Sequence, residues 1–266
     1  MLIDSTAHLP VTLAMLDSVI KTPNADELAH IIMRWLHFVA GITWIGMLYF
    51  FNLVNVPLQK KLDADTKKKV NPELLLPALW FFRWGAVVTV LAGLAYFAMY
   101  ILKTDVNNAN TLGGGNINVW VVLLAWLTYP IVLFLIEFLV IKKVPAVIKD
   151  GRIFAIVMLI VVGIVSFGLI RFFPAMLTVG GQMYASNRTM SIGVGGAYGI
   201  LMLLNVWGII WPANKRIIGA LQGGPPAAPE LARQAFIASR TNTWLSLPML
   251  LFMGTSSHDW LIFSGK

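Results

Sequence analysis

The chain has 266 residues, of which 58% are hydrophobic and 12% charged, and its mean hydropathy is +0.76. So much apolar surface excludes an ordinary soluble domain and points to an integral membrane protein. The absence of cysteine excludes disulfides, thiolate-held metals, iron–sulfur clusters and a c-type haem, which needs a C-x-x-C-H attachment site.

MLIDSTAHLP opens the chain with no basic region ahead of an apolar run, so a cleaved leader is not expected. Residues 1–27 read as a tail in which Leu9, Leu13, Leu16 and Ile20 stand at helical spacing, the pattern of an interfacial helix. A span needs about 20 mostly apolar residues. Six segments within 28–262 qualify, roughly 28–57, 76–102, 118–142, 153–173, 191–212 and 243–262, leaving 263–266 as a second short tail. The expected fold is an all-α integral membrane protein, a bundle of about six transmembrane helices.

The connections alternate in charge. QKKLDADTKKKVNPE is rich in lysine, TDVNNANTLGGGN has neither lysine nor arginine, and KKVPAVIKDGR is basic again. The next is nearly neutral, with Arg188 towards its end, and the last carries Lys215, Arg216, Arg233 and Arg240. By the positive-inside rule both termini lie outside. The net charge of +8 then sits mainly on the face that meets anionic lipid, and no nucleic-acid partner is needed to explain it. Gly-Gly-Pro-Pro (223–226) marks a loop, and PELARQAFIASR (229–240) after it reads as a short surface helix. Gly85–Thr89–Gly93 and Gly195–Gly199 are small-residue stripes suited to helix packing. Most tryptophans, Trp35, Trp80, Trp84, Trp120, Trp126, Trp207, Trp211, Trp244 and Trp260, fall near helix ends, as an aromatic belt requires.

Ionisable groups inside a membrane are costly, so each asks for a reason. On the outer side, His30, Arg34 and His37 lie at i, i+4 and i+7 on one helix face, with the histidines about 10 Å apart along the axis. His258, Asp259 and Arg171 reach a similar level from other spans. Two histidines on different helices with arginines nearby are the minimum set for a bis-histidine haem b, the imidazoles taking iron and Arg34 and Arg171 the propionates. The same set also fits a quinone or a small anion, and His30 and His258 also fit as interfacial residues bonded to backbone or water. Inner-side Asn52, Asn55, Arg83, Glu137 and Asn205 form a second group. The matching depths of Arg83 and Glu137 predict an ion pair, with proton handling by Glu137 as the other reading.

Four stretches carry a resemblance. RWLHFVAGITWIG (34–46), ALWFFRWGAVVTVLAG (78–93), NVWGIIWPANKR (205–216) and RTNTWLSLPMLLFMGTSSH (240–258) resemble, in order, motifs of the urate oxidase N-terminal membrane domain family. The last is the most specific, matching Arg240, Asn242, Leu247-Pro248 and His258 together. The resemblance implies a multi-span domain of the bacterial cytoplasmic (inner) membrane, associated with oxidation of urate to 5-hydroxyisourate. It marks Arg34, His37, Trp44, Asn205, Arg240, Asn242 and His258 as family positions. It also implies an outer-facing cytochrome c domain after the last helix; with no cysteine in these residues, the electron acceptor is expected as a separate cytochrome c. A family histidine in the fifth helix corresponds to Gly193 in RTMSIGVGGAYG (188–199).

Two functions follow. The first is a membrane redox component with His37 and His258 as axial ligands of a haem b, passing electrons to that cytochrome. The second is a cofactor-free accessory subunit of a larger membrane respiratory or oxidase complex. A transporter for urate or another small anion stands behind both.

Overall fold

Asn24 starts the first helix. Its side chain accepts from Glu27 N (2.9 Å) while Glu27 Oε2 accepts from Asn24 N (3.0 Å), a reciprocal capping box. The computed structural model of the chain describes residues 22–257 and 262–264. The interfacial helix expected at 9–20, and His258, Asp259 and Trp260, lie outside them. Among the described residues the order is α1 (Ala25–Lys61), α2 (Ala64–Thr111), α3 (Val119–Lys143), the short α4 (Pro145–Lys149) and α5 (Gly151–Met176). The strands β1 (Thr178–Val179) and β2 (Gln182–Met183) follow, then α6 (Asn187–Leu221) and α7 (Glu230–Thr255). The fold is all-α apart from the β1–β2 hairpin. Its turn, Gly180-Gly181, takes φ of 60° and 82°, which glycine adopts without strain.

Among the described residues five helices, α1, α2, α3, α5 and α6, are long and apolar enough to cross a membrane. The chain is therefore a multi-pass membrane protein, and its exposed apolar faces, such as Leu159 and Ile164 on α5, meet lipid. The sixth expected span, 243–262, falls on α7, whose first half is polar. The sequence pattern places a separate surface helix at 229–240. In the structure this stretch runs without a break into the apolar half, and Leu231, Gln234, Ala235, Ile237 and Ala238 are buried.

Helices also outrun their apolar segments. α2 starts at Ala64, not near 76, because Asp63 caps it. Asp63 Oδ1 accepts from Thr66 N (2.9 Å) and Oδ2 from Thr66 Oγ1 (2.6 Å), bonds that hold the carboxyl below its usual range. Lysines such as Lys67–Lys69 are good helix formers, so charge ends the apolar segment without ending the helix.

Three long helices contain a widened π-helical turn: Phe50–Asn55 in α1, Phe97–Leu102 in α2 and Val206–Ile210 in α6. Two of these turns lie just before a proline, Pro57 or Pro212. Proline removes an i→i−4 hydrogen bond and crowds the preceding turn, and a wider turn accommodates both effects.

α2 packs along α1, while α6 is central, held among α2, α3, α5 and α7. A Cβ on Gly85 would stand 3.2 Å from Ala40 O, and one on Gly195 would stand 3.1 Å from Met249 O. Those two positions bring helices together as the small-residue stripes predict. Gly199 does not, since nothing lies within 4 Å of its Cβ position. Trp35, Trp80, Trp84, Trp120 and Trp244 are exposed, as a belt requires. Trp126 departs from the belt: it is 1% exposed and donates to Gly193 O (2.9 Å).

Candidate functional site

A cavity of about 630 Å³ is lined by α1, α2, α3, α6 and α7, within the span of roughly 300–1,000 Å³ common for small-ligand sites. Its walls are largely apolar, with Phe38, Ile45, Phe97, Trp126, Met249 and Met253 among them. Gly46, Gly199 and Gly254 also line it, and a Cβ at any of them would meet nothing within 4 Å. The slot exists partly because these side chains are missing.

Arg34, His37 and Arg188 bring polarity to this slot. His37 is half-buried on α1, and its Nδ1–H donates to the backbone carbonyl of Thr89 (2.7 Å). Thr89 Oγ1 donates to His37 O (2.8 Å), so α2 fixes both the ring and its backbone. The closeness depends on Gly93, where a Cβ would stand 2.5 Å from His37 Nδ1 and 2.6 Å from Cε1. With Nδ1 carrying the proton, Nε2 keeps its lone pair and has no hydrogen-bond partner among the described residues. Arg34 and Arg188 are exposed and likewise make no ion pair or hydrogen bond among the described residues.

Arg188 is the residue that the sequence pattern misses, and its position is well fixed. Asp105 Oδ2, buried at the end of α2, accepts from Ser186 N and Ser186 Oγ (2.8 Å each). Ser186 Oγ in turn accepts from Thr189 N (3.1 Å), capping the first turn of α6, which carries Arg188. Asn187, in the same turn, donates to Thr255 O (3.3 Å) and accepts from Phe263 N (3.0 Å). These bonds tie the end of α7 to the start of α6, where Ser256 and Ser257 line the cavity. His258, the next residue, lies outside the described ones.

Two expected members of this group are elsewhere. His30 does not line the cavity. Its Nε2 bonds Tyr96 Oη (2.7 Å) and its ring stacks on Tyr100 at 4.5 Å, so two α2 tyrosines turn it out of the line of Arg34 and His37. Arg171 is exposed on α5 with its guanidinium 3.6 Å over the Phe167 ring, and α5 does not border the cavity. Among the described residues no three metal-ligating His, Asp or Glu converge. Those present fit a b-type haem through one imidazole with a free Nε2, two unpaired guanidiniums and an apolar slot.

The second polar group is rearranged more deeply. Arg83 and Glu137 form no ion pair, because matching depth does not make two helix faces meet. Arg83 lies 3.8 Å over the Trp211 ring. Glu137 is fully buried and accepts from Asn205 Nδ2 (2.9 Å). Asn205 Nδ2 also donates to Asn242 Oδ1 (3.0 Å), and Asn242 Nδ2 donates to Met202 O (2.9 Å). Asn52 bonds Ser239 (2.8 Å), and Asn55 accepts from Gln59 (3.1 Å). Asn205→Leu would leave Glu137 Oε2 and Asn242 Oδ1 without their Asn205 donor. At about 1–3 kcal/mol for each stranded buried group, a clear fall in the unfolding temperature in detergent is expected.

The family model described as urate oxidase N-terminal matches residues 23–74 and 64–266. No curated protein and no solved structure matches.

Proposed function

As the chain belongs to the urate oxidase N-terminal family, we propose that it is a membrane redox component whose cavity holds a b-type haem. The supporting observation is His37, which lines the cavity with Nδ1 committed to the Thr89 carbonyl and Nε2 uncommitted among the described residues. A ligand imidazole is usually oriented in this way, through its second nitrogen. Haem, when bound, supplies reversible one-electron transfer.

His37 would hold the haem iron, with His258, which lies outside the described residues, as the second candidate. Arg34 and Arg188 offer guanidiniums to the propionates, with Arg188 in the role that the sequence pattern gives to Arg171. Phe97 and Trp126 supply the apolar walls that keep water from the cofactor. The positive-inside rule puts this site on the outer side of a bacterial inner membrane. A separate cytochrome c on that side is the proposed electron acceptor.

The reading predicts a b-type band in the dithionite-reduced minus oxidised spectrum of the purified protein. Pyridine haemochrome should show near-stoichiometric haem, and His37→Ala should lose the band while remaining in the membrane. A folded wild-type chain with no band would falsify the reading. One observation favours a second reading. The family-histidine position, Gly193, lies against the Phe173 ring and has no room for a side chain. A cofactor-free accessory subunit would fit that loss, and would purify haem-free within a reproducible larger assembly.

A further inference from the structure

Glu137 sits where a membrane protein least tolerates an unpaired charge. It is 0% exposed, and Oε1 has no hydrogen-bond partner. Asn205 Oδ1, in the same network, is also buried without one. The direction of the network is fixed from its far end. Met202 O can only accept, so Asn242 presents Nδ2 to it and Oδ1 to Asn205. Asn205 must then turn Nδ2 towards both Asn242 and Glu137, and cannot flip to serve its own oxygen. Two buried acceptors, Glu137 Oε1 and Asn205 Oδ1, remain unpaired.

No cation makes up the deficit. Arg83, on α2, lies over Trp211, and Arg240, on α7, lies 5.2 Å from the Phe236 ring centroid. Lys142, five residues further along α3, donates to Gln234 Oε1 (2.5 Å). α5 brings no ionisable residue between Arg152 and Arg171, and α6 has none but Tyr198 between Arg188 and Lys215. The Thr241 hydroxyl reaches the carboxyl from α7, but it donates to Ile237 O (3.1 Å). Both orphan oxygens are enclosed, leaving no exposed face for a hydrated ion. A proton needs no space. On Oε1 it removes the charge and turns one orphan acceptor into a donor, with Asn205 Oδ1 left in the network to receive it.

We propose that Glu137 is a neutral carboxylic acid and that the Glu137–Asn205–Asn242 cluster is an exchangeable proton-binding site inside the bundle, distinct from the cavity. Exchange has a short route. Lys142 and Gln234 stand at the lysine-rich end, and five residues of helix separate Lys142 from Glu137 by about 7.5 Å along the axis. Towards the other end, the buried face of α7 continues through Asn242 to Ser246, bonded to Tyr49 (2.9 Å), one turn before Met249 in the cavity wall. The proposal does not depend on what fills the cavity.

Infrared spectroscopy of the full chain in lipid tests it. At neutral pH the wild type should show the carbonyl stretch of a protonated carboxylic acid. That band should be missing in Glu137→Gln, moved in Glu137→Asp, and shifted in wild type when D2O replaces water under native conditions. Glu137→Gln, which has the shape of the neutral acid, should unfold within a few degrees of wild type. A spectrum with only carboxylate, or a band that exchanges only on unfolding, overturns the proposal. So does a stability that rises with sodium chloride but not with choline chloride, which would assign the site to a cation.

Discussion

Gly93→Ala should remove the haem band as fully as His37→Ala, although it leaves the imidazole in the chain. The added methyl would stand 2.5 Å from His37 Nδ1 and 2.6 Å from Cε1, closer than unbonded atoms approach. The ring would have to leave the Thr89 carbonyl, and its Nε2 would lose its present direction. Overpacking of this kind costs about 1–3 kcal/mol, so the variant should still fold with a lowered unfolding temperature. Gly46→Ala is the control. It lines the same cavity, but its methyl would meet nothing within 4 Å, and it should leave the His37 contacts in place. A wild-type spectrum from Gly93→Ala would show that bound haem is not held by His37. That result differs from finding no haem at all.

Gly193→His, which puts in the histidine that the resemblance implies at this position, should lower the unfolding temperature sharply. A Cβ on Gly193 lands on the ring of Phe173, which is fully buried and packs edge-on to Phe97 (6.0 Å between centroids). Gly193 O also accepts from Trp126 Nε1 (2.9 Å), so α6 cannot simply shift away without breaking that bond. Phe173→Ala alone should cost about 3–5 kcal/mol, as large core truncations do. The double variant should be better than the sum of the two singles by about 1–3 kcal/mol, because each relieves the other. Unfolding temperatures of all four proteins measure this coupling directly. Additive effects would mean that Phe173 does not occupy the space a side chain at 193 needs.

Much of the bundle was legible in the sequence, because hydropathy over about 20 residues reports one helix crossing. Helix ends were less so. The apolar run of the first span stops near residue 57, while the helix runs on to Lys61 and the next one starts on the Asp63 cap. Arg34 and His37 were readable together because three residues apart is one helix face. His30 lies four residues before Arg34 and was lost from that group, since Tyr96 and Tyr100, more than sixty positions away, bind it. Spacing within one helix carries no information about such partners. Arg171 ends one apolar segment and Arg188 precedes the next, and the Asp105–Ser186 bonds fix the second beside the cavity. A local signal for α6 did exist. Four glycines between 193 and 199 are what a central helix needs for others to approach it. Depth arithmetic put Arg83 and Glu137 at one level, but it cannot give the direction around each helix axis, and the two side chains turn to different partners.

The widened turns of α1 and α6 separate the two ends of the molecule in rotation. Each residue of a regular helix advances the side chains by about 100°, so a turn that holds one extra residue resets the angular phase of everything beyond it. In α6 the segment up to Asn205 is phased to the cavity and the buried amides, and the segment from Trp211 is phased to Arg83. The two phases are independent of each other. The cavity-facing half and the lysine-rich half can therefore each be redesigned by substitution, whereas removing a single residue from Val206–Ile210 would swing one half about the other.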